Sequence, residues 1–272
     1  MSANLPIRMV EKPWGVDHLP APFATLEGER IGEIWFEPPP ELPQLLIKYI
    51  FTSEKLSVQV HPSEAQTLTK GLGKQGKEEC WLVIAAEPGA QLGIGFKEPI
   101  SADAMRAAAL DGSIEGKMVW HDVGPGDFFY IPANTVHAIG AGVSVIEIQQ
   151  NSDITYRLFD YGRPRELHLD EGMAVAKGEV YDRTRWHQHV GGAVVSLVDG
   201  PWFRLDRVAG GLSADVAGRY TQGLAAVIPL SGNVTFRGTG EVVRPGSCAV
   251  GKIGQMDFAP DGVALITQPV VE

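Results

Sequence analysis

The chain has 272 residues, of which 44% are hydrophobic, and a formal net charge of -10. This is enough material for one large domain or two small ones, whereas the acidic balance and the lack of a long basic run argue against a broad nucleic-acid surface. No apolar stretch approaches the roughly 18 residues of a membrane span, and the first residues lack the pattern of a secretory signal. Cys80 and Cys248 are the only cysteines and lie far apart, so we expect free thiols and a cytoplasmic protein.

Short apolar runs separated by glycine and proline predict a mostly β protein. The predicted strands of the first part span residues 31–37, 45–51, 55–61, 79–86, 90–96, 127–132 and 143–150. The proline-rich segment 37–44 reads as a loop. Ser101 as an N-cap and Gly112 as a C-terminal stop predict a helix between them, and a second short helix is expected within 166–178.

The last third of the chain repeats the β pattern without its histidines. Strands are predicted at 193–198, 202–208, 224–230, 233–238, 247–251 and 263–268, and residues 191–272 contain no histidine. We therefore expect two β halves. The first, 1–180, carries a short helical insertion at about 99–118, and the second, 181–272, is smaller and has no metal site.

Polar residues share one face of a predicted strand in "LSVQVHP", where Ser57, Gln59 and His61 alternate with apolar residues. Taken alone, this pattern also fits an ordinary solvent-facing stripe. In "GKEECW", the same parity places Lys77 and Glu79 together on one face. A cation and a carboxylate thus open a hydrophobic strand.

The segment "GDFFYIPANTVHAI" spaces Gly126, Pro132 and His137 as in the second metal motif of the cupin superfamily, whose strands form a jelly-roll barrel. Asn134 stands where that motif usually has glycine, and asparagine also tolerates a left-handed backbone. His137 alone also fits a structural, hydrogen-bonded histidine. Nitrogen and oxygen donors of this kind suit Zn²⁺ or another first-row divalent ion, and the set consists of Gln59, His61, Glu79 and His137.

Four motifs in order, "LSVQVHP", "GKEECW", "PANTVHAI" and "QQNSDITYRLFDYGR", resemble the type I mannose-6-phosphate isomerases (phosphomannose isomerases) in their short bacterial form. The similarity extends from residue 11 into the C-terminal half. It implies a zinc ion held by Gln59, His61, Glu79 and His137. It also places the family's active-site arginine at Arg157 and its adjacent aspartate at Asp153, both expected in a loop. Arg163 lies near the position of a phosphate-binding residue of longer relatives, although "YGRPREL" departs from their pattern.

The reaction implied by this resemblance interconverts mannose 6-phosphate and fructose 6-phosphate through an enediolate. A cation must stabilise the developing oxyanion, and a base must reach the carbon-bound proton. Arg157 is expected to assist the first task. The sequence leaves the base open among Glu147, Asp153, Lys77 and a metal-bound water. The candidates for holding the phosphate are Ser57, Lys77 and Arg163.

Two other functions compete with this interpretation. The first is a non-catalytic, sugar-phosphate-binding regulatory cupin, which need not keep Lys77, Asp153 and Arg157 beside all the metal ligands. The second is an oxidative cupin that uses Fe(II), whose sites more often present several histidines. We therefore favour the isomerase. The expected partner is a small sugar phosphate, with no nucleic acid or membrane, and the chain is expected to be a monomer or a homodimer.

Overall fold

A computed structural model describes residues 4–25, 27–192 and 194–270. They form a mostly β protein with twenty strands, which pair in four antiparallel sheets. The strands are β1 (Ile7–Val16), β2 (Ile31–Phe36), β3 (Leu45–Phe51), β4 (Val58–Val60), β5 (Glu79–Ala86), β6 (Gln91–Phe96), β7 (Met118–Asp122), β8 (Asp127–Ile131), β9 (His137–Ile139), β10 (Val143–Gln150), β11 (Tyr156–Phe159), β12 (His187–His189), β13 (Val194–Asp199), β14 (Phe203–Ala209), β15 (Ala225–Ser231), β16 (Val234–Phe236), β17 (Val242–Val243), β18 (Ala249–Gly251), β19 (Met256–Phe258) and β20 (Val263–Pro269).

Helices are short and lie between the strands. They are α1 (Glu64–Thr69), α2 (Ala102–Asp111), α3 (Ile114–Lys117), α4 (Leu169–Met173), α5 (Arg183–Trp186), α6 (Ala214–Arg219) and a 3-10 helix (Ile253–Gln255). Within the described residues, no helix combines the length and the apolar character that crossing a membrane requires.

Two sheets of the first half face each other. The first has seven strands in the order β1-β2-β3-β10-β5-β8-β12, and the second has five in the order β11-β4-β9-β6-β7. The apolar cluster between them includes Trp81, Val83 and Phe129 from the first sheet and Ile94 and Ile139 from the second. Since side chains alternate along a strand, this inward face of β5 also contains Glu79.

The opposite face of the seven-stranded sheet packs on the C-terminal half. Cys80, Leu82 and Ile146 project to this side and share a core with Leu205 and Leu265. The central strands of the sheet are therefore buried on both faces, and β3 is buried at every position. This explains why "LLIKYIF" is nearly all apolar, and it makes the one lysine in that run unusual.

The C-terminal half is a second, smaller β sandwich. Its five-stranded sheet, β13-β14-β20-β15-β18, faces the three-stranded sheet β17-β16-β19. Val227 and Ile266 from the first of these sheets meet Phe236 and Met256 from the second. The half thus has its own core in addition to the one it shares with the first half.

The predicted fold class is confirmed: the protein is mostly β, with a second β half and a short helical insertion. The described strands lie in separate open sheets and do not close into one continuous barrel. Helix α2 begins after the N-cap Ser101 and ends at Gly112, which is left-handed with φ 81°, as the sequence predicts. Helix α3 completes the insertion between β6 and β7, and α4 forms within 166–178.

Several element boundaries differ from the prediction. The strand expected at 193–198 is seen as β13, which begins at Val194, and residue 193 lies outside the described residues. Residues 1–3 of the predicted first half and 271–272 of the predicted second half also lie outside them. The edge strand β12 still pairs with β8 of the first half, although it lies beyond residue 180. Seven strands were not predicted from sequence, namely β1, β7, β9, β11, β12, β17 and β19, and four of these have three residues or fewer.

Candidate metal centre and adjoining cavity

Three short strands bring the polar residues of distant motifs together. Gln59 on β4 lies directly opposite His137 on β9. On the other side of β4, Arg157 of β11 pairs with Gln59. The expectation that Arg157 lies in a loop is therefore wrong, because residues 156–159 form the edge strand of the five-stranded sheet. Asp153 does lie in the connection between β10 and β11.

The turn before His137 is held in place by Asn134. This residue has φ 72°, the left-handed conformation that asparagine tolerates. Its backbone N–H donates to the His61 carbonyl at 2.9 Å, and its side-chain amide donates to Gln66 of α1 at 2.7 Å. Asn134 thus ties the segment that delivers His137 to the segment that delivers His61.

His61, Glu79 and His137 converge in the interior, each no more than 1% exposed. One ligand atom from each residue lies within 4.8 Å of the others. The Nε2 atom of His61 is 3.5 Å from Glu79 Oε2, and that of His137 is 3.2 Å from Glu79 Oε1. The set contains two imidazoles and one carboxylate and can hold a metal ion.

The backbone sets the tautomer of both histidines. His61 Nδ1 lies 2.9 Å from the Ile154 carbonyl, and His137 Nδ1 lies 2.9 Å from the Thr135 carbonyl. A carbonyl only accepts, so each Nδ1 carries the hydrogen and each Nε2 of the neutral ring keeps a lone pair toward Glu79. Burial lowers the pKa of His137 to about 4 and that of His61 well below its ordinary value.

This arrangement of acceptors fits a divalent cation. The two imidazole lone pairs point at a buried carboxylate, and such a contact between acceptors is unfavourable unless positive charge lies among them. The Lys77 ammonium, beside His61 and Glu79, supplies part of this charge, and a divalent ion would supply the rest. The Glu79 oxygens accept no hydrogen bond of normal geometry from the described residues. Burial accordingly raises the pKa of Glu79 to about 7, and the nearby Lys77 ammonium only partly opposes this effect.

A cavity adjoins His61, Glu79 and His137, and Gln59 and Lys77 lie between these three residues and the cavity. The Gln59 amide nitrogen is 3.3 Å from His137 Nε2, and its Oε1 accepts from the Ser57 hydroxyl at 3.3 Å. Lys77 Nζ lies 3.0 Å from His61 Nε2 and 2.8 Å from Glu79 Oε2. Both residues line the cavity, so they connect its contents to the buried donors.

The cavity has a volume of about 290 Å³ and is mainly polar and charged. This volume is near the lower end of the range for small-molecule sites. Its lining residues are Lys12, Trp14, Glu33, Trp35, Lys48, Ile50, Leu56, Ser57, Gln59, Lys77, Ile139, Glu147, Asp153, Thr155, Arg157 and Arg165. Six of the residues singled out from sequence therefore line one cavity: Ser57, Gln59, Lys77, Glu147, Asp153 and Arg157.

Glu147 is tied down by two donors. Its Oε1 accepts from Lys48 Nζ at 2.9 Å, and its Oε2 accepts from Trp81 Nε1 at 2.9 Å. Burial alone would raise its pKa, but the attraction of Lys48 and Lys77 outweighs this effect and lowers the pKa of Glu147 to about 2. Glu147 is thus a stable carboxylate with little tendency to accept a proton.

Arg157 and Asp153 are the less constrained charges of the cavity. Arg157 Nη1 donates to the Glu166 carbonyl at 2.6 Å, its Nε is buried without a partner, and no carboxylate of the described residues forms an ion pair with it. Burial and the neighbouring Arg165 lower the pKa of Arg157. The exposed Asp153 carboxylate has no hydrogen-bond or ion-pair partner within the same described set.

Arg163, the residue proposed for phosphate from sequence, lies apart from the cavity. Its guanidinium pairs with Asp160 at 2.9 Å and with Glu54 at 3.1 Å. Arg165 lines the cavity instead, and the buried Asp160 carboxylate holds it through two contacts of 2.6 Å. Of these two arginines, the one that lines the cavity is therefore two residues later than the one the sequence suggested.

Lys48 is a further site residue that was not predicted from sequence. The residue is 6% exposed and bridges Glu147 and Gln149, with Nζ 2.7 Å from the Gln149 oxygen. A signal existed, since a lysine in the middle of an apolar strand is rarely buried unless it has a partner. Trp35, whose ring lies 4.6 Å from Lys48 Nζ, had no comparable signal.

Comparison with known proteins supports the resemblance that the motifs predict. The chain is 35% identical over 201 residues to "Mannose-6-phosphate isomerase" of Streptococcus mutans, which covers 70% of this chain and 62% of that protein. It is 37% identical over 159 residues to "Mannose-6-phosphate isomerase ManA" of Bacillus subtilis, covering 56% and 46% of the two chains. The matched part thus spans less than two thirds of these relatives' length. No family model matches the chain.

Solved structures share the fold over almost the full chain. The mannose 6-phosphate isomerase of Bacillus subtilis superimposes with a TM-score of 0.81 and 22% identity, covering 97% of this chain and 98% of its own. A putative mannosephosphate isomerase of Archaeoglobus fulgidus gives a TM-score of 0.78 at 17% identity, covering 99% of both chains. The predicted resemblance to this family is confirmed.

The geometry generates a paired test within one dipeptide. Glu79→Gln should weaken zinc binding by roughly 100-fold or more, because the buried site loses its anionic ligand. Glu78→Gln should bind zinc nearly as the wild type does, because Glu78 precedes β5 and its carboxylate lies against Tyr130 and Trp202, away from the metal ligands. Zinc affinity is measured by competition with a chromophoric chelator. Equal losses in the two variants would show that Glu79 is not a ligand.

Proposed function

We propose that this homologue of the bacterial mannose-6-phosphate isomerases is itself a metal-dependent isomerase that interconverts mannose 6-phosphate and fructose 6-phosphate. One observation carries the proposal: a buried site of two imidazoles and a carboxylate lies directly under a charged cavity whose Arg157 guanidinium forms no ion pair with the described residues. Isomerisation through an enediolate needs both features, because negative charge develops on a substrate oxygen during proton transfer.

We assign the metal as zinc, held by His61, Glu79, His137 and Gln59. The first three are supported by their convergence and by the two backbone-fixed tautomers. Gln59 is supported by its position against His137, from which its amide oxygen becomes available when the amide group turns over. When bound, the ion would supply a Lewis acid for the sugar's carbonyl and hydroxyl oxygens.

Arg157 and Lys77 supply positive charge on the substrate side. Arg157 reaches the cavity with no competing carboxylate among the described residues, so it is available for charge that develops in the enediolate. Burial disfavours the Lys77 ammonium, but attraction to Glu79 and Glu147 prevails and raises its pKa. Lys77 therefore stays protonated and serves as a hydrogen-bond donor, not as the base.

Among the carboxylates that line the cavity, Asp153 is the one that no described cation or hydrogen-bond donor holds. Glu147 is held as an ion by Lys48 and Trp81 and has a lowered pKa, which makes it a weak base. Asp153 lines the same cavity without a described partner. We therefore assign proton transfer between C1 and C2 to Asp153 and an electrostatic role to Glu147.

We assign the phosphate contacts to Ser57 and Arg165, which both line the cavity. A hydroxyl and a guanidinium oriented by a carboxylate are typical donors to a phosphate. Arg163 contributes indirectly, because it shares the Asp160 carboxylate that orients Arg165. An acidic protein can thus bind an anion in a local cationic pocket.

We place the chemistry in the first half, 1–180, and a supporting role in the second, 181–272. The only described group of three or more metal-type side chains lies in the first half. The second half shares a core with the back of the sheet that carries Glu79 and Glu147. Both cysteines are free and buried, which fits the cytoplasmic location predicted from sequence, and a monomer or homodimer stays a prediction.

The regulatory alternative makes a different prediction for Arg157→Ala. If Arg157 stabilises charge that appears only during reaction, kcat should fall by roughly 100-fold or more while KM for mannose 6-phosphate changes little. Conversion to fructose 6-phosphate is followed with zinc-loaded wild type and variant. A regulator would bind mannose 6-phosphate without turnover in either protein. A raised KM with unchanged kcat would move Arg157 from charge stabilisation to substrate binding.

Asp153→Asn tests the assignment of the base. The amide keeps the size of the side chain but cannot accept the proton, so kcat should fall by roughly 100-fold to 10,000-fold. Exchange of the C2 hydrogen of mannose 6-phosphate with solvent, followed by NMR in D₂O, should slow to the same extent. Ser152→Ala, beside it in the same connection, serves as the control for local disturbance. Exchange at the wild-type rate in Asp153→Asn would assign the proton transfer to another group.

A further inference from the structure

Arg157 lies on the edge strand β11, and a later segment of the chain forms hydrogen bonds with the outer side of this strand. On its inner side β11 pairs with β4. On its outer side, where no strand follows, the backbone of Arg157 faces the segment 166–168. The His168 N–H donates to the Arg157 carbonyl at 2.8 Å, and the Arg157 N–H donates to His168 Nδ1 at 3.2 Å.

A third contact holds the side chain of Arg157. Its Nη1 donates to the Glu166 carbonyl at 2.6 Å. The same short segment therefore binds the backbone of Arg157 on both its polar groups and the tip of its guanidinium. Two of the three partner groups, the His168 N–H and the Glu166 carbonyl, belong to the backbone. The third, which accepts from the Arg157 N–H, is the imidazole of His168.

The segment 166–168 is itself firmly placed. It leads directly into α4, where Gly172 packs so closely on β11 that an added Cβ would lie 2.3 Å from the Leu158 side chain. Before it, Arg165 is held by the buried Asp160. The segment that carries His168 is thus held by contacts to Leu158 and Asp160 in addition to its own contacts with Arg157.

We infer that His168 is a positioning residue for Arg157, and this inference rests on the proposed function. The imidazole accepts from the Arg157 N–H only through a lone pair on Nδ1, so this contact requires the tautomer with its hydrogen on Nε2. Without this acceptor, the outer N–H of Arg157 loses its partner and the edge strand loses a fixed point. His168 touches neither the metal donors nor the cavity, so it acts through Arg157.

Two substitutions separate positioning from bulk packing. In His168→Asn the side-chain oxygen lies near the position of Nδ1 and keeps the acceptor, whereas His168→Leu removes the acceptor and keeps an apolar side chain. We expect His168→Leu to lower kcat for mannose 6-phosphate isomerisation by roughly 10-fold to 100-fold with little change in KM, since small displacements of a catalytic group are costly. His168→Asn should keep kcat within roughly threefold of the wild type.

A double-mutant cycle gives the decisive comparison. In the Arg157→Ala background, His168→Leu should cause no further loss of kcat, because the group it positions is gone. A multiplicative loss in that background, or an equal loss in His168→Asn and His168→Leu, would overturn the inference and assign His168 a general structural role.

An NMR measurement keeps this inference separate from the proposed function. In zinc-loaded wild type, the ¹⁵N shift of His168 Nδ1 should be that of an unprotonated ring nitrogen, and the Arg157 amide should exchange slowly with solvent. The exchange should become fast in His168→Leu and stay slow in His168→Asn. These results would support the contact even if the wild type showed no isomerase turnover, whereas a protonated Nδ1 would contradict it.

Discussion

The buried carboxylate of Glu79 determines which charges and hydrogen-bonding groups the site around it must contain. An ionised carboxylate at 0% exposure is costly unless cations or donors surround it. Two of its neighbours, His61 and His137, cannot donate to it because their hydrogens are committed to backbone carbonyls on the other side of each ring. Lys77 contributes one positive charge. A divalent ion among these ligand atoms would offset the cost of burying the carboxylate.

The same constraint explains how charge is distributed above the site. Most charges that line the cavity form close pairs, as Lys48 does with Glu147 and Lys12 does with Glu33. These pairs maintain a polar wall but leave little charge free for a ligand. Arg157 and Asp153 differ, since neither has an opposite charge at contact distance within the described chain. A substrate that gains negative charge and loses a proton would find its complement in these two residues.

Much of the site could be predicted from sequence because it depends on strand parity. The period of two in β4 and β5 places Gln59 beside His61 and Lys77 beside Glu79 without knowledge of the fold. The left-handed turn at Asn134 was likewise local. The pairing of β3 with β10 joins distant parts of the chain and could not be predicted in this way. Without this pairing, the sequence does not indicate that Lys48 contacts Glu147. Arg157 was misplaced for a similar reason, because an edge strand of four residues is defined by its neighbour β4 and not by its own composition. The sequence pattern indicates Arg163 and not Arg165, because it does not show that Asp160 contacts both and that only Arg165 of the two lines the cavity.

The central claim is that the donors around Glu79 hold a metal ion on which turnover depends. It is tested most directly by removing metal from the purified protein with a chelator, restoring zinc stepwise, and measuring zinc content and mannose 6-phosphate isomerisation on the same samples. The account predicts that activity disappears with the metal and returns in proportion to zinc, up to a single ion per chain. Full turnover in protein that contains no metal would contradict it.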